Sequence, residues 1–191
     1  MHISKLILLP ILFMTSLAHA APKNSFGIDA GIGLPFLGQV GARYYFAENL
    51  GLSVGYNHLS LDVGEASAKL TMPEILLHYH PFSGAFFIAA GIGKESLEVT
   101  ATDTLTQLQA SAQVDAMTTV LKTGWVWGAD NGGFWFGVDL SYIIPTSPDV
   151  TITAPGVPTT SQDYIDTVDA AEKFGETAFL NITFARLGWL F

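Results

Sequence analysis

The sequence Ala185-Arg186-Leu187-Gly188-Trp189-Leu190-Phe191 ends the chain and decides how the rest of it folds. Leu187, Trp189 and Phe191 recur at every second position, as side chains on one face of a β-strand do. The opposite face is expected to carry Arg186, Gly188 and Leu190, together with Phe184. One face of this strand is therefore apolar and ends in aromatic residues, which predicts contact with lipid.

The same alternation recurs along the chain and predicts eight strands. The clearest examples are 26–34 and 134–142, in which an apolar face alternates with glycine, serine and aspartate. A helix would not place apolar residues at every second position. The predicted strands are 26–34, 40–46, 50–57, 70–79, 85–93, one within 113–127, 134–142 and 179–191.

The first residues match a secretory signal peptide. Lys5 supplies its positive start, 6–17 its apolar stretch and Ala18-His19-Ala20 a small-residue cleavage site, so residues 1–20 are predicted to be removed. Residues 21–191 are predicted to form a single exported domain. Hydrophobic residues make up 49% of the sequence, yet no later segment has the roughly 18 uninterrupted apolar residues of a spanning helix. A closed barrel is the other structure that satisfies its backbone in lipid.

A soluble periplasmic β-sandwich would alternate in the same way, and the aromatic residues distinguish the two folds. Connections at 47–49, 80–84 and 128–133 are short, whereas those at 57–69, 94–112 and 143–178 are long, as in outer-membrane barrels. The predicted fold is therefore all-β, an eight-stranded, up-and-down antiparallel transmembrane barrel. Aromatic residues that fall near strand ends, where membrane girdles belong, are Tyr44, Phe46, Tyr56, Tyr79, Trp125, Trp127, Phe134, Tyr142, Trp189 and Phe191.

Two irregular segments give further expectations. In 70–79, Leu70 and Met72 have one parity and Ile75 and Leu77 the other, which predicts a β-bulge at Pro73-Glu74. In the long connection 143–178, acidic and apolar residues between 163 and 176 are spaced as in a short amphipathic helix. We expect this helix to pack on the barrel rim as a lid, with binding of a cation or an extracellular partner as the alternative.

The strand pattern and the terminal motif Leu187-Gly188-Trp189-Leu190-Phe191 resemble the small eight-stranded bacterial outer-membrane barrels of the OmpW, OmpX and OmpA type. The resemblance covers 26–191 as a pattern of strands. It implies an outer-membrane location in a Gram-negative cell and contact with outer-membrane lipid and lipopolysaccharide. It also implies insertion by the outer-membrane assembly machinery, with Leu187, Trp189 and Phe191 as the recognised signal. Fold alone does not determine activity.

Charged residues on the second face of these strands are predicted to point into the barrel. An eight-stranded barrel is just wide enough for side chains to fill it, and buried charges must be paired. We therefore expect a near-neutral polar network in the lumen, with a path for ions or small solutes as the alternative. Its predicted members are Asp29, Arg43, Glu74, His78, Lys122, Asp139 and Arg186.

One group of polar residues raises the possibility of an enzyme. His58 and Ser60, followed by Asp62 and Glu65, contain the residue types of a Ser-His-acid hydrolase. The spacing of these residues along one strand does not show that a nucleophile, a base and an orienting acid would be in contact with one another. The sequence therefore predicts no catalytic residues and a non-enzymatic protein.

The sequence also predicts that the protein binds neither a metal ion nor nucleic acid. His78 and His80 share one face with Glu74, but no third ligand has a convincing spacing, so neither a metal nor another cofactor is predicted. The formal net charge of −9 argues against nucleic acid as a partner, because phosphates require clusters of Lys and Arg.

Three functions remain open from the sequence. The first is a non-enzymatic barrel with an envelope-structural or surface-interaction role, in which 143–178 would meet an extracellular partner. The second is a narrow channel for small or hydrophobic solutes, with Leu76 and Phe87 lining a lateral route. The third is a lipid A-modifying enzyme. We rank them in that order.

Overall fold

A computed structural model describes residues 21–82, 84–102, 109–156, 160 and 162–191. The predicted signal peptide at 1–20 lies outside the described residues. The described part contains eight strands and one helix, which are β1 (Ser25–Leu34), β2 (Gly38–Ala47), β3 (Leu50–Val63), β4 (Ala66–Tyr79), β5 (Phe86–Thr102), β6 (Gln109–Trp127), β7 (Gly133–Thr153), α1 (Gln162–Gly175) and β8 (Phe179–Leu190).

The strands form one closed barrel in which each strand pairs antiparallel with its neighbours along the chain. Pairing of β1 with β8 closes the ring. The Phe26 amide donates to the Phe191 carbonyl over 3.3 Å, and the Phe191 amide donates to the Phe26 carbonyl over 2.7 Å. The eight-stranded antiparallel barrel predicted from the sequence is confirmed. We call the end with the turns after β2, β4 and β6 the lower end, and the opposite end the upper end.

Each strand has a buried inner face and an exposed outer face, as the alternation predicts. The outer face carries apolar residues from every strand; Ile28, Val54 and Leu121 are examples. Aromatic rings contact one another around the lower end, with ring centroids 4.8 Å apart for Trp127 and Phe136 and 5.5 Å apart for Phe86 and Trp125. An apolar wall with an aromatic girdle is the surface that a transmembrane barrel presents to acyl chains.

The long connections predicted at 57–69 and 94–112 are largely strand. β3 continues to Val63 and β4 begins at Ala66, while β5 continues to Thr102 and β6 begins at Gln109. The segment 143–178 also begins as strand, because β7 continues to Thr153. These predictions were wrong because the strands continue well beyond the roughly 9–11 residues that cross a membrane, and alternation such as that of Leu97, Val99 and Ala101 continues with them.

The β-bulge predicted at Pro73-Glu74 is wrong. β4 keeps one register with β3 through Tyr56↔Pro73, and its pairs with β5 have the same register above and below Pro73. Leu70 and Met72 lie on the inner face with Glu74, Leu76 and His78. The apparent change of parity arises because the upper part of the interior is apolar, so inner-face residues there look like outer-face residues.

A bulge lies instead in β8. Both neighbours of β8 shift register there, between Ile32 and Gly33 on β1 and between Gly137 and Asp139 on β7. Phe184 consequently points outward with 52% of its surface exposed, rather than inward with Arg186 as predicted. Thr183 then occupies an inner position, because the extra residue exchanges the two faces of the strand.

The helix predicted within 163–176 is present as α1 and packs against β7 and β6. Gly175 is buried, and a methyl group added to it would lie 2.7 Å from both Pro148 and Val114, so the helix approaches the wall closely there. Ile165 and Phe174, which were expected to face the rim, are 42% and 47% exposed. The side chains of Asp163 and Tyr164 lie outside the described residues. Among the described residues, no helix has the length and apolar character needed to cross a bilayer.

Candidate functional site

Four charged side chains from the strands on both sides of the seam meet inside the barrel. Asp29 of β1 accepts from Arg43 of β2, with 3.0 Å from Nη2 to Oδ2, and from Arg186 of β8, with 2.9 Å from Nη1 to Oδ1. Arg186 also reaches Asp139 of β7, with 3.0 Å from Nε to Oδ2. All four residues are buried. The two carboxylates and two guanidinium groups therefore compensate one another in a chain, which we call the seam network.

Neutral side chains complete the seam network. Gln39 Oε1 accepts from Arg186 Nη2 over 2.7 Å, and the Thr183 hydroxyl lies 2.8 Å from Asp139 Oδ1. Sequence reasoning missed Thr183, because the bulge in β8 reverses its face. It missed Gln39, because this residue precedes the predicted start of the second strand. A polar residue beside a predicted strand end was the only signal available for Gln39.

Trp135 covers one side of the seam network. The Arg43 guanidinium carbon lies 4.1 Å from the centre of its ring, which is within the range of a cation–π interaction. Gly188 makes room for the indole, because a Cβ at that position would overlap the Trp135 ring. A glycine in β8 is thus required by the packing of the network.

A separate ion pair lies inside the barrel between a residue of β4 and a residue of β6. Lys122 Nζ and Glu74 Oε1 are 2.6 Å apart, and both side chains are buried. Ser53 Oγ lies 2.7 Å from His78 Nε2, and the His78 ring packs on Phe87 with centroids 5.2 Å apart. The structure thus places all seven residues of the predicted lumen set inside the barrel and joins them as one four-residue chain, one ion pair and one histidine–serine contact.

The space left between these groups is small. A void of about 10 Å³ lies among Arg43, His78, Lys122, Asp139 and Arg186. This is about the volume that one water probe occupies. Leu76 and Phe87, which would line a solute route in the channel hypothesis, are buried in the apolar packing of the interior. At the level of the seam network the lumen is filled by side chains.

The hydrolase candidates are not arranged for catalysis. His58 stacks on Tyr56 on the outer wall with ring centroids 6.5 Å apart, its Nδ1 has no hydrogen-bond partner, and Ser60 is exposed. His78 and Ser53 do form a histidine–serine contact, but His78 Nδ1 is buried without a partner. Neither histidine therefore has the orienting acid that a Ser-His-acid mechanism requires.

The two histidines considered as metal ligands make other contacts. His78 Nε2 is held by Ser53, and His80 Nδ1 donates to the Gly84 carbonyl over 3.0 Å. The Glu74 carboxylate already forms an ion pair with Lys122. Within the part of the chain that the structure describes, no group of three or more His, Asp or Glu residues is placed to hold a metal ion.

His80 closes the lower mouth of the barrel and is expected to make stability depend on pH. Burial lowers the pKa of His80, although its hydrogen bond to Gly84 opposes the change. The unfolded chain then binds a proton first as the pH falls, so the free energy of unfolding should decrease below about pH 6.5. His80→Phe keeps a ring beside Tyr45 and Phe87 and cannot be protonated. Urea unfolding in detergent micelles should show a weaker acid dependence for this variant; an identical dependence would contradict the assignment.

The residues of the predicted assembly signal form an outward-facing ladder at the lower seam. Leu187, Trp189 and Phe191 are each at least half exposed, and the ring of Phe191 stacks on Phe26 with centroids 6.5 Å apart. Trp189 lies between Ile28 of β1 and Phe134 of β7 in the sheet register. The three side chains are thus presented together on the surface that faces lipid.

Comparison with solved structures finds bacterial proteins that are similar to this chain. A major outer membrane protein from Thermus thermophilus aligns with a TM-score of 0.54 and 14% identity over 87% of this chain and 97% of its own. CarO from Acinetobacter baumannii gives 0.47 and 13% over 86% and 97%. The N-terminal β-barrel domain of OprF from Pseudomonas aeruginosa gives 0.43 and 12% over 88% and 98%. No protein-family model matches the chain, and no curated protein matches it. At 14% identity, the similarity to the Thermus thermophilus protein concerns the fold alone.

Proposed function

We propose that the protein is a non-enzymatic barrel of the bacterial outer membrane, with an interior sealed by its own side chains and a role in envelope structure or surface interaction. The observation that carries the proposal is the void of about 10 Å³ among the charged interior residues. A space for about one water gives a hydrated ion no path at this level. Full pairing of the charges around it makes a static plug the interpretation that fits best.

The location and partners in this proposal rest on three features. The apolar outer wall requires acyl chains around it, which outer-membrane lipid and lipopolysaccharide would supply. The start of the sequence, with Ala18-His19-Ala20 as a cleavage site, would direct export. Leu187, Trp189 and Phe191 would be recognised by the assembly machinery before β8 pairs with β1. The upper hairpins and α1, within 143–178, are the surface that an extracellular partner would meet.

A conductance measurement tests the sealed interior. Wild-type protein in planar bilayers should show no current above that of the lipid alone, because the seam network leaves no continuous water. Arg43→Ala should also remain silent if Trp135, Arg186 and His78 still fill the lumen. A wide porin in the same bilayer serves as the positive control. Current steps from the wild type, or an increase in Arg43→Ala, would contradict the plug and favour an ion path.

A narrow route for small hydrophobic solutes is the second candidate, and one observation favours it. The pairs between β4 and β5 stop at Thr71↔Ser96 and resume at Glu74↔Gly93, because Pro73 has no amide to donate. Outside this gap lies a groove of about 310 Å³ lined by Pro73, Ile75, Ile92, Lys94 and Met117, among others. Inside it, Met72 and Glu95 are buried. A solute could enter the upper interior sideways at this weak point.

A disulfide staple separates this candidate from the plug. The sequence contains no cysteine, so Pro73→Cys with Lys94→Cys would introduce the only thiols and lock the gap when oxidised. The matched control is Ile75→Cys with Ile92→Cys, which are already paired in the ladder. A lateral route predicts that uptake of a fluorescent hydrophobic solute into vesicles is lost on oxidation of the first pair alone and restored by reductant. Uptake that is absent from the start, or unchanged by the staple, would rule it out.

A further inference from the structure

The lipid-facing wall carries a groove that crosses five strands. Its volume is about 520 Å³, and its sides are formed by Leu77, Tyr79, Ile88, Leu121, Leu140, Tyr142 and Leu180. Each of these side chains is at least 40% exposed on the outer face. We call it the cross-wall groove.

Two small residues create the depression. In the sheet register, Leu77, Ala90, Leu121, Tyr142 and Leu180 form one row, and Tyr79, Ile88, Thr123, Leu140 and Ile182 form the next. Ala90 and Thr123 are short members of rows that are otherwise large. The Thr123 hydroxyl donates to the Phe87 carbonyl over 3.1 Å, so it offers no free donor to the groove. The bottom of the cross-wall groove is therefore apolar, and it lies below the level of the surrounding side chains.

The groove has the direction and length of an extended chain. It begins at Tyr79, the last residue of β4 at the lower end, and finishes at Leu180, near the start of β8 at the upper end. Four steps between neighbouring strands of about 4.8 Å each give a length of about 19 Å. Such a long, narrow, apolar depression matches an acyl chain laid diagonally along the wall.

The charge around the two ends indicates which lipid fits. Above Leu180, the end of α1 and the residues after it carry the exposed acids Glu172 and Glu176 with one base, Lys173. These acids disfavour the phosphates of lipid A at the upper end. The lower end opens between the aromatic residues of the girdle, where a phospholipid headgroup of the inner leaflet would lie.

We propose that the cross-wall groove is a fixed binding site for one acyl chain of a phospholipid from the periplasmic leaflet. The groove is continuous with the lipid-facing wall, and the proposal rests on the outer-membrane placement proposed above. A phospholipid held there remains with the protein when bulk lipid is removed, because its chain contacts side chains on five strands instead of neighbouring lipids.

Native mass spectrometry tests the site. The protein is folded into vesicles of phosphatidylethanolamine and phosphatidylglycerol, extracted in mild detergent and weighed intact. We expect the wild type to retain a single phospholipid and Ala90→Phe, which fills the groove, to lose it. Ala30→Phe, on the same outer wall away from the groove, is the matched control and should retain the lipid. Thr123→Leu narrows the groove from the neighbouring row and replaces Ala90→Phe if that variant fails to fold.

The other outcomes are separable. Equal retention by wild type, Ala90→Phe and Ala30→Phe, or no retention by the wild type, would overturn the site. Displacement of the phospholipid by lipid A, with the same sensitivity to Ala90→Phe, would overturn the assignment to the periplasmic leaflet. β-type circular dichroism in the same vesicles reports whether the barrel has inserted. A barrel that inserts but retains no lipid therefore disproves the site and leaves the proposed function standing.

Discussion

Asp29→Ala is expected to destabilise the folded barrel by roughly 3–5 kcal/mol, the range for removing one partner of a buried ion pair. Asp29 is the only acid within 3.1 Å of the Arg43 guanidinium among the described contacts, and it also holds Arg186. Its loss leaves Arg43 charged and buried, with the Trp135 ring and a 3.4 Å hydrogen bond to the neutral Tyr45 hydroxyl but without a carboxylate partner. Urea unfolding in detergent micelles, followed by tryptophan fluorescence, measures the change in the free energy of unfolding.

The control for this variant is Asp62→Ala, in the exposed upper part of β3. It removes the same charge from a strand without disturbing the interior and should change stability by no more than about 0.5 kcal/mol. Similar unfolding midpoints for Asp29→Ala and Asp62→Ala would show that the seam network contributes nothing to stability.

Lys122→Met is expected to produce the second large loss, again roughly 3–5 kcal/mol, because Glu74 would stay buried without its cation. The 2.6 Å contact between Lys122 and Glu74 shares no hydrogen bond with the seam network in the described part of the chain, so the two effects can be measured separately. Met has nearly the length of Lys and fills the same space. The loss should therefore report the charge rather than a cavity.

The double variant Glu74→Leu with Lys122→Met distinguishes a charge effect from a packing effect. If uncompensated charge causes the loss in Lys122→Met, removing both charges should restore most of it, since paired buried ions contribute little more than apolar side chains of similar volume. The same urea unfolding measurements on both single variants and the double complete the cycle. Additive losses in the double variant would mean that the two side chains stabilise the barrel through packing.

The outer wall was the most predictable part of this protein. Alternation such as that of Phe134, Phe136 and Leu140 is strict there, because every second residue must be apolar to face lipid. Interior charges such as Asp29 and Arg43 stood out against that background. Their chemistry identified them as interior residues, but their partners depend on which strands adjoin across the seam, and no spacing within one strand contains that information.

Most of the incorrect predictions concern residues that do not face lipid, for which the requirement of an apolar side chain at every second position does not hold. Leu70 and Met72 are apolar although they point inward, so a parity argument built on apolar residues placed a bulge at Pro73 where there is none. Phe184 was assigned to the inner face and Thr183 was not recognised as an inner residue, because nothing in the sequence marks the bulge in β8. The upper parts of β5 and β6 were assigned to a loop although apolar residues such as Leu97 and Val114 still recur there at every second position, because their outer faces carry polar residues such as Glu98 and Gln113.

Closure of the seam has a kinetic consequence. The bond between Asp29 and Arg186 joins residues 157 positions apart, and Thr183 and Gln39 are 144 apart. Contacts this distant in sequence form slowly, because the entropy of closing a long loop is lost before they form. Asp29 and Arg43 are only 14 residues apart and can pair early, whereas the bond from Asp29 to Arg186 is expected to form late, when β8 meets β1 and completes the ring.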